Sequence, residues 1–117
     1  MLPLDTVKED STSVFVIIPV HNRKATTLRC LNHLASQGDL DTVQVVVVDD
    51  GSSDGTTEAI SKQYSHVHIL QGDGNLWWTG ATKRGMEYAY SQGANYFVWL
   101  NDDTLPIKGA IATLVAL

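Results

Sequence analysis

VQVVVVDDGSSDGTT, residues Val43 to Thr57, decides the fold. Five of the six residues Val43 to Val48 are valine, a β-branched type suited to a pleated surface, and six residues is strand length rather than helix length. With no polar alternation, the strand is read as covered on both faces, as in a parallel sheet enclosed by helices. Ligands of such sheets gather beyond the carboxyl ends of the strands, where this one stops in Asp49 and Asp50. Gly51 and Gly55 allow a tight turn, and Ser53 or Asp54 is placed to cap a helix over Thr56 to Gln63.

The same punctuation recurs on either side. Val14 to Ile18 (VFVII) reads as a strand closed by Pro19, and Leu28, Leu31, Leu34 and Ala35 fall at helical spacing before Gly38. His66 to Leu70 (HVHIL) alternates more and reads as an outer strand, with His66 and His68 on one face as structural or exposed residues. In GDGNLWWTGATKRG, Gly72 to Gly85, the first half is read as a loop and a helix is expected from Thr79 to Gln92. Its buried side is assigned to Trp78, Ala81, Met86, Ala89 and Tyr90, and packing is the reading for Trp77 and Trp78. Gly80 and Gly85 inside a helix imply a close approach by a strand or a ligand. Tyr96 to Leu100 (YFVWL) is the fourth strand, ending in Asn101, Asp102 and Asp103, and Pro106 is expected in the first turn of a last helix.

Four strands alternating with helices predict right-handed crossovers and a three-layer, Rossmann-like α/β sheet in the order 3-2-1-4. Growth reverses between strands one and four, so a crevice is expected there, lined by Pro19 to Asn22, Asp49 to Ser52 and Asn101 to Asp103.

A chain of 117 residues makes one domain, here residues 13–117 after a polar, flexible leader over 1–12. No apolar run reaches the ~18 residues a membrane span needs, and no basic-plus-apolar leader is present, so the expectation is a cytoplasmic protein. Cys30 is the single cysteine, which excludes an internal disulfide. A net charge of −5 with scattered Lys and Arg disfavours nucleic acid as a partner.

Neither GxxxxGK[ST] nor a GxGxxG after the first strand is present, which excludes the P-loop and dinucleotide signatures. A diphosphate entering a crevice of carboxylates is repelled by up to ~4 kcal/mol per charge pair at ~4 Å and an effective dielectric of ~20. A dication such as Mg²⁺ or Mn²⁺ relieves that repulsion, and the acids are read as a metal–nucleotide site.

VIIPVHNR, VVVVDDGSSDGT, GNLWWTGATKRG and FVWLNDD occur in the order found in family 2 glycosyltransferases, and from Val14 to Asp103 the chain resembles the N-terminal half of their GT-A fold. The resemblance implies that Pro19, Val20, His21 and Asn22 line the nucleotide, with His21 where an aromatic often stacks on the base. Asp50 would contact the base and Asp49 orient the loop beside it. Asp102 would face the ribose or sugar and share with Asp103 the metal on the diphosphate, in a DxD-type motif led by Asn101. Lys83 or Arg84 would lie near the phosphates. The donor would be a UDP- or dTDP-sugar, and the tryptophan pair is most similar to that of bacterial surface-polysaccharide enzymes, including rhamnosyl transferases. The catalytic base and acceptor half would lie beyond Leu117. The chain is therefore expected to be a truncated donor-binding part, inactive alone, whose apolar flank self-associates. A longer form would work at the inner face of the membrane.

Two other classes remain at this point. A phosphoacceptor receiver domain also has an acidic pocket at strand ends, but wants a lone aspartate ending its third strand, where this chain has Leu70 and Gln71. A non-catalytic α/β interaction module would keep the fold and bind no nucleotide.

Overall fold

Unbroken apolar runs at 14–18 and 45–48 cannot bury both their faces without partners above and below, and the sheet forms around them. The computed structural model describes residues 13–117; the leader expected over 1–12 lies outside the described residues. Strands β1 (Val14–Val20), β2 (Gln44–Asp50), β3 (His68–Gly72) and β4 (Tyr96–Trp99) alternate with helices α1 (Lys24–Ser36), α2 (Thr56–Gln63), α3 (Trp77–Ser91) and α4 (Ala110–Ala116). All three strand pairings are parallel and the order is β3-β2-β1-β4, as predicted.

Side chains alternate cleanly between the two faces of the central strands. Val14, Val16, Ile18, Val20, Val45 and Val47 pack with Cys30, Leu31 and Leu34 of α1, Ile60 of α2 and Ile111 of α4. Phe15, Ile17, Val46 and Val48 face the other way, against Ala81 and Ala89 of α3. That second face is covered at close range. A Cβ on Gly85 would stand 2.5 Å from Ile17 Cγ2 and 3.1 Å from Val48 Cγ2, so the absent side chain lets α3 rest on the sheet. The strand beneath is what this glycine is for. Cys30 is fully buried, and burial pushes its thiol up to about 11, with the charges of Asp102 and Asp103 adding to the effect.

Several boundaries differ from expectation. The third strand starts at His68 rather than His66 and runs to Gly72, because its pairing to β2 begins at Val46↔His68. There His68 bonds Gln44 and Tyr88, while His66 lies in the preceding turn. Helix α3 starts at Trp77, two residues early, and its buried residues are Ala81, Thr82, Gly85 and Ala89. Trp78 and Tyr90, expected on that side, are exposed. The last helix starts at Ala110 after a left-handed Gly109, not at Pro106. The Pro106 carbonyl is instead taken by His33 Nε2 and Gln37 Nε2 at the end of α1. Among the described residues no helix is long and apolar enough to cross a membrane.

Candidate functional site

The carboxyl ends of β1, β2 and β4 open into a cavity of about 380 Å³ at the point where the strand order reverses. Pro19, Val20, His21 and Arg23 come from the end of β1 and its loop, Asp50 from β2, and Asn101, Asp102 and Asp103 from the loop after β4. Gly74, Trp77, Trp78 and Ala81 close the opposite wall. All three segments predicted for the crevice meet there.

Asp50 is the pivot of that wall. Its Oδ1 accepts the Gly74 amide at 2.8 Å, and its Oδ2 accepts the Leu76 and Trp77 amides at 3.0 Å each. Burial opposes ionisation of this carboxyl, but the Trp77, Gly74 and Leu76 amides outweigh it and hold the group below the usual carboxylate range. The same bonds supply the cap that α3 lacks locally, since Leu76 offers no side-chain cap. Trp77 sits at φ 58°, a left-handed conformation unusual for so bulky a residue, with its amide fixed on Asp50.

His21 is oriented from two sides. Its Nδ1 lies 2.6 Å from the Asp50 carbonyl, which can only accept, so Nδ1 carries the hydrogen. Nε2 is then free to accept from Asn22 Nδ2 at 3.3 Å. Asn22 itself, at φ 51°, ties two loops together: its amide donates to Ser52 Oγ and its Oδ1 accepts from the Ser53 amide. Asp54 completes the tie, accepting the Lys24 amide at the start of α1 and the Thr56 amide at the start of α2. This acid, rather than Ser53, performs the capping expected of the pair.

Asp49, Asn22 and Lys83 do not line the cavity. Asp49 is buried with its carboxylate turned to the Ser52 amide and the Thr57 hydroxyl, the position of a loop organiser. Lys83 lies on the outer face of α3 beside Glu87, and Arg84 donates to the Gln71 carbonyl. In contrast, Trp77 and Trp78, read from sequence as packing residues, are 76% and 50% exposed and border the opening. Trp78 Nε1 donates to Asn101 Oδ1 at 3.1 Å, and its ring meets Trp99 edge-on.

Arg23 is the site residue the sequence reading missed. Its Nε is 3.5 Å from Asp102 Oδ2 and a terminal nitrogen is 3.9 Å from Asp103 Oδ2. Its place right after Asn22, at the same strand end as the other lining residues, was the available signal. Asp102 is buried, and burial together with the Asp103 charge raises its carboxyl above the usual range despite the pull of Arg23. Among the described residues no cluster of three or more His, Cys, Asp or Glu could hold a metal by itself. Two adjacent carboxylates beside an amide oxygen do fit an oxygen-seeking dication that takes its other ligands from phosphate and water.

Comparison with known proteins agrees with this geometry. A family model described as "Glycosyl transferase family 2" matches residues 15–117. Glycosyltransferase AglE of Haloferax volcanii is 37% identical over 97 residues, 80% of this chain and 31% of the relative. The fold is shared with the mannosyltransferase PcManGT of Pyrobaculum calidifontis, solved in complex with GDP-Man and Mn²⁺, at a TM-score of 0.75 and 23% identity over 91% of this chain and 32% of that one. It is shared too with S. aureus TarS 1–349 in complex with UDP-GlcNAc, at a TM-score of 0.70 and 25% identity over 90% and 30%. The chain thus spans about a third of the length of these relatives. With the family model covering nearly all of it and the α/β sheet in the GT-A order, the chain belongs to glycosyl transferase family 2.

Proposed function

We propose that residues 13–117 form the donor-binding part of a metal-dependent glycosyltransferase, taking a UDP- or dTDP-sugar and transferring no sugar alone. The observation that carries this reading is the convergence of Asp50, His21, Asp102 and Asp103 on one cavity at the switch point of the sheet. The base would lie on the His21 ring. Asp50 accepts three amides, and a carboxylate has about four lone-pair positions, so one is left for the imide N–H of uracil or thymine. Asp102 would face the ribose, and Asp103 with Asp102 would hold Mg²⁺ or Mn²⁺, whose role when bound is to neutralise the diphosphate. Asn22 and Asp49 would act through the loops they fix, and Lys83 would need a turn of its side chain to reach a phosphate.

Titrating UDP and dTDP calorimetrically, with and without Mn²⁺, tests the reading. Binding is expected only with the metal, and Asp103→Ala is expected to weaken it by about tenfold or more. Metal-independent binding, or equal binding by a folded Asp103→Ala chain, would refute the assignment, and a folded chain that binds neither nucleotide would favour the interaction module.

We further propose a role in bacterial surface-polysaccharide synthesis, a reading supported by the resemblance of GNLWWTGATKRG, and work in the cytoplasm or at the inner face of the membrane. We also propose self-association through the β4 flank, where Tyr96, Phe97 and Trp99 are exposed beside a second cavity of about 340 Å³ lined by Trp78, Met86 and Trp99. Sedimentation should show concentration-dependent dimers that Trp99→Glu removes; a monomer at high concentration would count against it.

A further inference from the structure

The cavity is lined by three acids and a single cation among the described residues, and that cation is held loosely. Good bidentate arginine–carboxylate pairs close to about 2.7–2.9 Å with parallel bonds. Arg23 stands 3.5 Å from Asp102 and 3.9 Å from Asp103, spanning two carboxylates and forming a hydrogen bond with neither. Its side chain is about half exposed (48%) while that of Asp102 is 8% exposed, so the guanidinium lies over the acid pair from the solvent side. The neighbouring cations are engaged elsewhere: Lys83 with Glu87 and Arg84 with Gln71.

We propose that Arg23 is the resident counter-charge of the acid pair, standing where a dication would bind and turning to the donor's diphosphate when metal and nucleotide arrive together. Charge counting gives the reason. With Asp50 already satisfied by three amides, one guanidinium against Asp102 and Asp103 leaves a deficit of one positive charge, whereas a dication added with Arg23 still in place leaves the pair with an excess. A diphosphate removes that excess and offers the guanidinium the planar, paired oxygens it matches best. Metal alone should therefore bind weakly, nucleotide should strengthen the metal, and by reciprocity the metal should strengthen the nucleotide to the same degree. Both halves rest on the metal assignment proposed above, and only the second rests also on the nucleotide.

The experiment measures Mn²⁺ alone by the paramagnetic resonance of the free ion, titrated into the wild-type chain, Arg23→Gln and Arg23→Lys. Removing one positive charge at this distance should make Arg23→Gln bind Mn²⁺ about tenfold tighter, with Arg23→Lys staying near wild type. In a second titration, UDP with saturating Mn²⁺ should bind Arg23→Gln about tenfold more weakly than wild type. Unchanged or weaker Mn²⁺ affinity in a folded Arg23→Gln chain overturns the proposal, as does the absence of Mn²⁺ binding in every chain. Tighter Mn²⁺ with unchanged UDP overturns the phosphate half. If wild type binds no UDP at any metal concentration, the donor-site reading fails while the Mn²⁺ comparison still decides the counter-charge. Should Arg23→Gln fail to fold, the comparison of Arg23→Lys with Arg23→Met decides it.

Discussion

Asp50→Ala is expected to lose about 2–4 kcal/mol of folding stability, because one carboxylate serves three amides at once. Three part-buried amides, those of Gly74, Leu76 and Trp77, would lose their acceptor together, and a donor left unpaired costs roughly 1–3 kcal/mol where water cannot replace the carboxylate. Some of that is recovered if the turn opens to water, which would release Trp77 from its left-handed conformation and fray the start of α3. Asp50→Asn keeps one acceptor oxygen but points an amide group at amide donors, so an intermediate loss is expected. The pH dependence gives an independent check. A carboxyl held low in the fold contributes stability that is present above its unfolded value, near 3.9, and is lost as pH falls through the folded value. The gap between wild type and Asp50→Asn should therefore narrow below about pH 4. Asp102 works with the opposite sign, because a raised carboxyl costs stability when charged and relieves that cost on protonation. Urea unfolding decides the matter: an Asp50→Ala chain within about 1 kcal/mol of wild type would mean the amides are not held as described.

Gly85→Ala is expected to destabilise by about 2 kcal/mol, although helix propensity alone would make the change favourable by up to ~1 kcal/mol. The added Cβ meets the branched Ile17 Cγ2 at 2.5 Å, and neither that side chain, fully buried in β1, nor the backbone of α3 can withdraw without opening the core. Gly80 is the internal control. Its nearest neighbour would be Leu76 Cβ at 3.3 Å, on the half-buried residue that precedes the same helix and can give by a few tenths of an ångström, so Gly80→Ala should be close to neutral. Thermal unfolding of the two variants side by side reads the contrast, and a stabilised Gly85→Ala chain would show that α3 does not rest on Ile17 and Val48.

Much of this architecture could be read from residue types, because buried parallel strands impose an unmistakable composition. Val45 to Val48 and Val14 to Ile18 have no polar face to confuse the pattern, and acids at the ends of β2 and β4 located the crevice. What composition concealed was direction. Asp49 and Asp50 are adjacent in sequence, yet strand alternation sends one carboxylate to Thr57 and the other toward Gly74 and the cavity. The start of α3 was hidden for a related reason: its capping acid is 27 residues away from Trp77, and no local signal announces a cap supplied by another strand. Trp77 and Trp78 were assigned to packing on their apolar area, whereas the turn anchored by Asp50 carries them to the rim. Arg23 was overlooked because its partners lie in a loop at the other end of the chain.

The order of the strands also sets the sequence in which the cavity can be built. His21 and Asp50 are separated by 29 residues, so the wall made by β1 and β2 closes a short loop. Ser13 and Asn95, where β4 joins β1, are 82 residues apart. Closing the longer loop costs only about 1 kcal/mol more by chain entropy, but it must wait for the intervening chain to collapse. The β4 seam is also short, with four residues paired to β1 among the described residues. Among the described residues Asp102 and Asp103 thus follow the seam of greatest sequence separation, and hydrogen exchange is expected to show the amides of β4 opening more readily than those of the central β1–β2 pair.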